Sequence, residues 1–372
     1  MLMTASLRRL CVAFSLLSLL ACSSLPAIKV EIAWPTPSLK DDDTEVSLPA
    51  LTGEAGVFAT PLPEAAQQGQ SRVQPFPMQV TAETPGWEVR VEDVVKGMEA
   101  WHRLYAANQN NTPPPDGWEY LLVKVWVKCQ VKDEAAHTLF LGLTGDRGVI
   151  YRPPGLVEPE PRLKMNLRDG ETIKGWEAFL MPVDEGNRML LFEELGDLAD
   201  TSHYIAIDES PSIAVDLALR DIEPTELGTS LDAPAPFGKK VVAEDWEVTV
   251  LDVVWDDLAW ERLADANQFN EEPGPGMTYA LVWVRVRYID IREGPVYISG
   301  WSFKAVAGEG DEYKIPSVVL PDPALNARLF PDGQFEGWVA LELPEDKVDP
   351  VLVFDPSLNS FGYQTRYLSL VP

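Results

Sequence analysis

The amino-acid sequence predicts an all-β protein of two tandem antiparallel β-sandwiches, each with one short helix, behind an export signal and a tether. Three observations lead to this fold class. Residues 87–129 recur at 246–288 without a gap, with 22 of the 43 aligned positions identical, so the chain carries an internal repeat. Short alternating strands, separated by turn signals about every ten residues, favour antiparallel sandwiches. A length of 372 residues leaves room for two domains of about 150 residues each.

Residues 1–21 have the pattern of a signal peptide. Two arginines precede an apolar run from Cys11 to Ala21, which is too short to span a bilayer as a mature helix. The run leads into Cys22 in the manner of a bacterial lipobox, although Leu20 stands where a small or β-branched residue is commoner. We therefore expect acylation of Cys22, with an ordinary cleaved signal peptide as the alternative. Two or more acyl chains hold a protein stably on a membrane, which predicts an exported protein, lipid-anchored to the cell membrane on its extracytoplasmic side.

The remaining chain divides into a tether, two domains and a linker. Residues 22–72 are rich in proline and acids and show no period long enough for an element, so we expect a disordered, extended spacer. The three consecutive aspartates at 41–43 lack the glycine and the distal glutamate of a calcium loop. The first domain is predicted at 73–217 and the second at 234–372. The linker 218–233 is proline- and acid-bearing, and we expect it to leave the domains some freedom.

The first strand of each copy begins at a tryptophan. From Trp87 onward the residues alternate between apolar and charged, which is typical of a half-buried antiparallel strand. Asp93 and Asp252 fall on the apolar face of their strands, so either the strand bulges there or the carboxylate is paired. Because an unpaired buried charge is costly, we expect structural ion pairs of Asp93 with Arg103 and of Asp252 with Arg262.

A short amphipathic helix is predicted next, from Met98 to Asn108, because apolar residues recur there at helical spacing. The second copy repeats the spacing, and Asn108 and Asn267 stand where a left-handed C-cap is useful. Six polar side chains near these helix ends favour capping and turn formation, and alternatively form a small polar recognition site on each domain: Asn108, Gln109, Asn111, Asn267, Gln268 and Asn270.

The longest strand is predicted from Tyr120 to Val131, with Cys129 on its inward face as a buried, unreactive thiol. Further strands of the first domain are predicted at Thr138–Thr144, Gly148–Tyr151, Thr172–Met181, Met189–Phe192 and His203–Ile207.

The repeated motifs carry a family resemblance. The tryptophan strand, Ala-Trp-x-Arg-Leu, Ala-Asn-Gln, Gly-x-x-Tyr and Val-x-Val-x-Val occur in both copies. Together they resemble an uncharacterised immunoglobulin-like domain family of bacterial lipoproteins, which is related in fold to a secreted mycobacterial immunoprotective antigen. The resemblance covers both domains and implies immunoglobulin-like sandwiches in an extracytoplasmic, lipid-anchored and non-enzymatic module. It supplies no catalytic residues.

Charge and composition exclude several function classes. A net charge of −28 without a basic patch makes nucleic acid an unsuitable partner. The three histidines, His102, His137 and His203, do not recur in the second copy and do not have metal-ligand spacing. The sequence carries no nucleophile elbow, P-loop or dinucleotide fingerprint. We therefore expect no enzyme activity, no cofactor and no metal, although counting acids does not exclude a carboxylate-pair hydrolase.

Three functions are consistent with this organisation. The first is a binding or adhesion module that presents two sandwiches to an unknown protein, peptide or glycan. The second is a structural or accessory envelope lipoprotein that docks onto a membrane complex. The third is a calcium-stabilised module, for which chelation would lower the melting temperature.

Overall fold

The computed structural model describes residues 68–194, 202–307, 310–313, 315–356 and 364–371. The predicted signal peptide (1–21), the acylation site Cys22 and all but the end of the predicted tether (22–72) lie outside the described residues. Within the described ranges, no helix has both the length and the apolar composition that a bilayer crossing requires.

The first repeat folds close to the predicted boundaries. In chain order its elements are β1 (Ala82–Glu83), β2 (Trp87–Lys96), α1 (Gly97–Ala107), β3 (Trp118–Cys129), β4 (Leu139–Thr144), β5 (Thr172–Pro182), β6 (Met189–Glu194) and β7 (His203–Ala206). The predicted strand at 148–151 does not form as a strand, although Tyr151 makes an isolated antiparallel bridge with Leu143 of β4.

The second repeat contains the corresponding elements and several more. They are β8 (Val241–Val242), β9 (Trp246–Trp255), α2 (Asp256–Ala266), β10 (Met277–Tyr288), β11 (Val296–Ser299), β12 (Phe303–Ala307), β13 (Asp311–Tyr313), β14 (Asn326–Leu329), β15 (Gln334–Pro344), β16 (Val351–Phe354) and β17 (Arg366–Ser369). Short 3-10 helices occupy Leu217–Asp221 and Gly300–Ser302.

One sheet has the same strand order in both repeats, β1-β2-β3-β5 in the first and β8-β9-β10-β15 in the second. All of its neighbouring strands are antiparallel. The second layer is β4-β6-β7 in the first repeat and β13-β12-β16-β17 in the second, where β11 and β14 form an additional pair. The predicted fold class, two tandem antiparallel β-sandwiches with one short α-helix each, is confirmed.

The core of each sandwich lies between its two sheets and consists of alternate residues of the long strands. Five residues of β3 face it, as the alternation predicts: Leu121, Val123, Val125, Val127 and Cys129. Cys129 is buried and forms no disulfide. Burial raises the pKa of its thiol, because the thiolate is the less stable form in apolar surroundings. Cys129 is therefore a core residue.

Each helix covers the outer face of the four-stranded sheet, so a sandwich has three layers. In α1, Ala100 and Leu104 are buried against Leu122 and Ala178, and α2 repeats the arrangement. The predicted left-handed C-cap is wrong. The backbone of Asn108 is extended, with φ −155°, and that of Asn267 is the same, because the chain enters a tight turn directly after the helix.

Both β2 and β9 contain a bulge of one residue. Glu92 and Leu251 are skipped where these strands pair with β3 and β10. Because successive side chains of a strand point to opposite faces, one extra residue reverses the faces beyond it. Asp93 and Asp252 therefore point to solvent rather than into the core.

The predicted linker 218–233 packs on the second sandwich. Leu219 is buried, the hydroxyl oxygen of Thr225 accepts a hydrogen bond from Val242 N at 3.1 Å, and the amide of Tyr367 donates to Gly228 O at 2.7 Å. The segment is thus an ordered part of the second domain.

The two sandwiches are joined by backbone hydrogen bonds. The amide of Ile150 donates to Arg328 O at 3.0 Å, and the amide of Phe330 donates to Gly148 O at 2.8 Å. Residues 148–150, which the sequence assigns to a strand of the first domain, bond to the end of β14 instead. The expected freedom between the domains is therefore not what the structure shows.

A buried ion pair and an aromatic contact complete this interface. Arg328 donates two hydrogen bonds to the Glu193 carboxylate, at 2.6 and 2.7 Å. Both side chains are mostly buried. The ring of Phe330 lies 6.1 Å from that of Tyr204, and the guanidinium of Arg72 lies 3.9 Å from the centre of the Phe330 ring. Removing one partner from such a buried pair costs about 3–5 kcal/mol.

Candidate functional site

Asn111 and Asn270 attach corresponding loops to their helices. Nδ2 of Asn111 donates to the carbonyl oxygens of Leu104 and Val157, both at 2.9 Å, and its Oδ1 accepts from Val157 N at 3.1 Å. Asn270 makes the same three bonds in the second repeat, two of them with Val319 at 2.8 Å. Both donor hydrogens of each amide are used inside the fold, which favours a structural role over ligand recognition.

The other predicted polar residues form turns or face solvent. Oδ1 of Asn108 accepts from Asn110 N at 3.1 Å, and Asn267 does the same for its second neighbour at 3.2 Å. Gln109 and Gln268 are exposed beside them. Since the asparagines close local turns, the capping and turn interpretation fits the geometry better than a polar recognition site.

The ion pair predicted between Asp93 and Arg103 does not form in the structure. Asp93 Oδ1 accepts from Val94 N at 2.9 Å within the bulge. Arg103 pairs instead with Glu99, one helical turn earlier, at 2.6 Å. The prediction is wrong because the bulge removes Asp93 from the apolar face, so no buried charge needs a partner.

The pair predicted between Asp252 and Arg262 is wrong for the same reason. Asp252 Oδ1 accepts from Val253 N at 2.9 Å. The guanidinium of Arg262 lies 5.3 Å from the ring centre of Trp338, at a distance where a cation and an aromatic face attract each other.

The histidines lie apart. His102 is exposed on α1, His137 contacts Asp133 at 2.7 Å, and His203 stacks on Phe192 with ring centres 5.2 Å apart. Across the described ranges, no three histidine, cysteine or acidic side chains stand in a metal-binding group. The chemistry of these residues thus does not identify a site.

A groove in the second sandwich has the character of a binding site. It has a volume of about 250 Å³, and every residue that lines it is uncharged. Tyr297 and Trp301 stand at its edge, with 52% and 68% of their surfaces exposed. Exposed tyrosine and tryptophan beside an apolar pocket are the features that distinguish the energetic centre of protein interfaces. In a chain of net charge −28, an uncharged groove selects against charged ligands.

Two elements hold the walls of the groove in place. One wall is β11 with the 3-10 helix after it, where the buried hydroxyl of Ser299 accepts from Trp301 N at 3.3 Å. The amide of Gly300 donates to Leu325 O at 3.0 Å. The other wall is the loop 315–320, which Asn270 binds through Val319. One of the predicted polar residues is therefore a positioning residue for the groove.

The first sandwich differs at the corresponding place. A single bridge between His137 and Leu167 takes the place of the β11–β14 pair. By strand register, Leu139 corresponds to Trp301, and it is buried. Sequence reasoning missed the groove because Tyr297 and Trp301 lie in the region where the copies diverge. Two aromatic residues present in only one copy were the available signal.

No protein-family model matches the sequence, and no curated protein matches it either. Among solved structures, the chain is similar to a candidate lipoprotein (ycdA) from Bacillus subtilis, with 13% identity over 35% of this chain and 37% of that chain and a TM-score of 0.27. It is also similar to the yjhA protein from Bacillus subtilis, with 14% identity over 36% and 99% of the two chains and a TM-score of 0.25. A third is an uncharacterized β-sandwich protein from Clostridium difficile 630, with 10% identity over 40% and 97% and a TM-score of 0.23. The family resemblance of the sequence stays a prediction.

Proposed function

We propose that this chain is a lipid-anchored, extracytoplasmic and non-enzymatic binding protein whose second sandwich holds an apolar, uncharged peptide segment of a partner protein. The observation that carries the proposal is the pair of exposed aromatic side chains, Tyr297 and Trp301, at the edge of an uncharged groove. Such rings supply a large contact area at a small cost in conformational entropy.

The lining of the groove favours a peptide over a glycan. Ile315, Val318, Leu320 and Leu325 supply apolar surface, while Asn326 supplies a side-chain amide and Ser299 and Ser317 supply hydroxyl groups. Sugar hydroxyl groups would each need a polar partner to avoid a desolvation penalty. Apolar side chains need none, and their burial is favourable by about 25 cal/mol per Å².

Screening a peptide library against the full chain, followed by affinity measurement with a fluorescent hit, tests this proposal. We expect apolar peptides to be selected, and Trp301→Ala to weaken their binding at least tenfold, as truncation of a central aromatic anchor does. Phe269→Ala is the matched control, because Phe269 is 80% exposed and does not line the groove. Equal losses in both variants, or selection of acidic peptides, would contradict the proposal. Binding of neutral oligosaccharides that depends on Trp301 would keep the groove but replace the ligand class.

The two asparagine clamps offer a second matched pair. Asn270→Ala removes the hydrogen bonds that hold the groove wall at Val319 and should weaken peptide binding several-fold. Asn111→Ala removes the same three hydrogen bonds from the first sandwich and should leave peptide affinity unchanged. Each change should lower the free energy of unfolding by about 2 kcal/mol, because three hydrogen bonds are lost. An equal effect on affinity would show that Asn270 does not act through the groove.

The anchor rests on Cys22, which lies outside the described residues. Intact mass spectrometry of the membrane fraction should find a diacyl or triacyl adduct on a chain that begins at Cys22, and Cys22→Ser should abolish it. A mature chain without lipid would make the protein a secreted, diffusible one.

A further inference from the structure

A second cavity, of about 270 Å³, lies where the two sandwiches meet. Val73 and Tyr204 of the first sandwich line one side of it, and Glu293 and Phe330 of the second line the other. Arg72, which the sequence assigns to the disordered tether, is buried on the side of the first sandwich, so the end of the predicted tether is an ordered part of that domain. The cavity is smaller than the range of about 300–1,000 Å³ that is usual for drug-sized ligands. Its size therefore suits a molecule of a few heavy atoms.

Arg72 places a buried positive charge in this cavity. The residue is 7% exposed, and its guanidinium lies over the Phe330 ring. Its side chain makes one hydrogen bond, from Nη1 to Gly145 O at 3.3 Å. Within the described part of the chain, no carboxylate lies within ion-pair distance of it. The guanidinium has five N–H donors, and the described residues offer it the one acceptor at Gly145 O.

Burial lowers the pKa of Arg72 to about 10, because the desolvated cation is less stable than it is in water. An apolar residue at this position would not carry this desolvation cost. A carboxylate bound in the cavity would offset the cost through charge-assisted hydrogen bonds to Arg72. The burial of Arg72 without a carboxylate at ion-pair distance among the described residues therefore points to an anionic group as its ligand.

The cavity also carries a negative charge. Glu293 lines the opposite side and is exposed, and its charge, together with those of Asp146 and Glu185, acts on Arg72. A simple anion would be repelled by these carboxylates, and a simple cation would be repelled by Arg72. A molecule that carries one negative and one positive charge can pair with Arg72 and with Glu293 at the same time.

We propose that this cavity binds a small zwitterion, an α-amino acid with an apolar side chain, whose carboxylate pairs with Arg72 and whose ammonium group pairs with Glu293. Val73, Ile213 and Val215 supply an apolar surface for the side chain. The hydroxyl of Tyr204, which lines the same cavity, stays protonated, since burial raises its pKa to about 12. This inference is independent of the groove, which lies within the second sandwich.

Calorimetric titration of the full chain with three matched probes tests the proposal. Leucine carries both charges, 4-methylpentanoate lacks the ammonium group, and isoamylamine lacks the carboxylate. We expect leucine to bind, and each single-charge probe to bind at least tenfold more weakly. If 4-methylpentanoate binds as tightly as leucine, the cavity is a plain anion site. If none of the three binds, the assignment is wrong.

Variants separate the two charges from the fold. Glu293→Gln alters an exposed residue, so we expect an unchanged melting temperature and at least a tenfold loss of leucine affinity. Arg72→Met should abolish leucine binding. Arg152→Gln is the control, because Arg152 is exposed and lies near Phe140 outside the cavity. Unchanged leucine affinity in Glu293→Gln, or an equal loss in Arg152→Gln, would overturn the proposal. Trp301→Ala should leave leucine binding intact, which distinguishes this site from the groove.

Discussion

Glu177 is a carboxylate at a position that the repeat assigns to the core. It shares a strand face with Phe179 and Met181, which lie between the sheets. The corresponding residue of β15 is Val339, which is fully buried. Burial, followed by the charge of Glu158, raises the pKa of Glu177 to about 7, because the desolvated carboxylate is less stable than the acid.

This shift predicts a pH-dependent stability. Since the pKa of Glu177 in the folded state exceeds its ordinary value of 4.5, the folded protein holds a proton that the unfolded chain releases between the two values. Stability therefore falls as the pH rises through this window and stays reduced above it. Glu177→Gln should raise the free energy of unfolding at pH 8 by about 2 kcal/mol and change it little at pH 4. Urea unfolding at both pH values measures this.

The control for this prediction is Glu134→Gln, which alters an exposed carboxylate on the loop after β3. It should change the free energy of unfolding by less than about 0.5 kcal/mol at either pH. A gain from Glu177→Gln that is the same at pH 4 and pH 8 would show that side-chain packing, and not ionisation, causes it.

For single residues, the sequence predicts which side chains form turns better than it predicts which side chains pair with each other. The asparagines at the helix ends were assigned to turns from their position after an apolar helical pattern, and their hydrogen bonds agree. The predicted ion pair of Asp93 with Arg103 is wrong because a bulge of one residue changes the face of the strand on which a side chain lies. A regular alternation places Asp93 inside, and only the pairing register of β2 with β3 shows that it lies outside.

The helices are among the elements whose position the sequence predicts most closely. α1 begins and ends within one residue of its predicted bounds, because its buried residues recur every three to four positions in both copies. Strands β4 to β7 also lie within two residues of their predictions. The apolar residues of 148–151 predict a strand of the first domain. Tyr151 pairs there with Leu143, but the hydrogen-bonding partners of residues 148–150 belong to the other domain. A local pattern does not contain those partners.

Both helices begin with a left-handed residue, which leads to a prediction about the two copies. Gly97 has φ 63° and Asp256 has φ 55°. Glycine adopts this conformation without the steric cost that a side chain brings. Asp256→Gly should therefore stabilise the second domain by about 0.5–1 kcal/mol. The substitution removes the ion pair of Asp256 with Lys347, whose side chain is 13% exposed, and this loss offsets part of the gain, while Lys347 keeps its contact with the Trp255 ring, 5.2 Å away.

The neighbouring residue supplies the control. Asp257→Gly introduces glycine at the next position of α2, which does not have a left-handed backbone, and should destabilise by about 1 kcal/mol. Opposite signs for the two substitutions in urea unfolding would support the backbone argument. The same sign would show that the charge at the helix start dominates.

The association of the two sandwiches is a property of the whole molecule that the repeat does not reveal. Its contact residues lie in segments that differ between the copies: Gly148, Ile150, Glu193, Arg328, Phe330 and Gly333. Where the copies are alike, the residues build the individual sandwich. Where they differ, most residues of the interface, the groove and the cavity are found, with Asn270 and Tyr204 as exceptions that have counterparts in the other copy. A comparison of the copies therefore predicts the fold of one domain and leaves the arrangement of two unspecified.

Gly333 is the residue whose substitution tests this association most directly. A Cβ atom there would lie 2.5 Å from Gly148 O and 2.8 Å from Phe330 O. The corresponding residue of the first repeat is Glu171. Its carbonyl oxygen accepts from the last amide of β3, as the carbonyl oxygen of Gly333 accepts from the last amide of β10. A side chain is thus compatible with this type of turn. At Gly333 the shorter of the two contacts, with Gly148 O, comes from the facing domain, and the longer one comes from the Phe330 carbonyl of the turn itself.

We expect Gly333→Ala to separate the sandwiches without unfolding either. Both obstructing atoms belong to the backbone, and relief of the 2.5 Å contact with Gly148 O requires a shift between the domains, at a cost of about 1–3 kcal/mol. Scanning calorimetry should resolve two transitions where the unaltered chain shows one, and small-angle scattering should report a larger radius of gyration. Gly300→Ala is the control, because a Cβ atom at Gly300 meets no atom within 4 Å. A single unchanged transition in Gly333→Ala would mean that the contact between Gly148 and Gly333 does not hold the domains together. Leucine binding at the cavity between the domains would then persist in this variant as well.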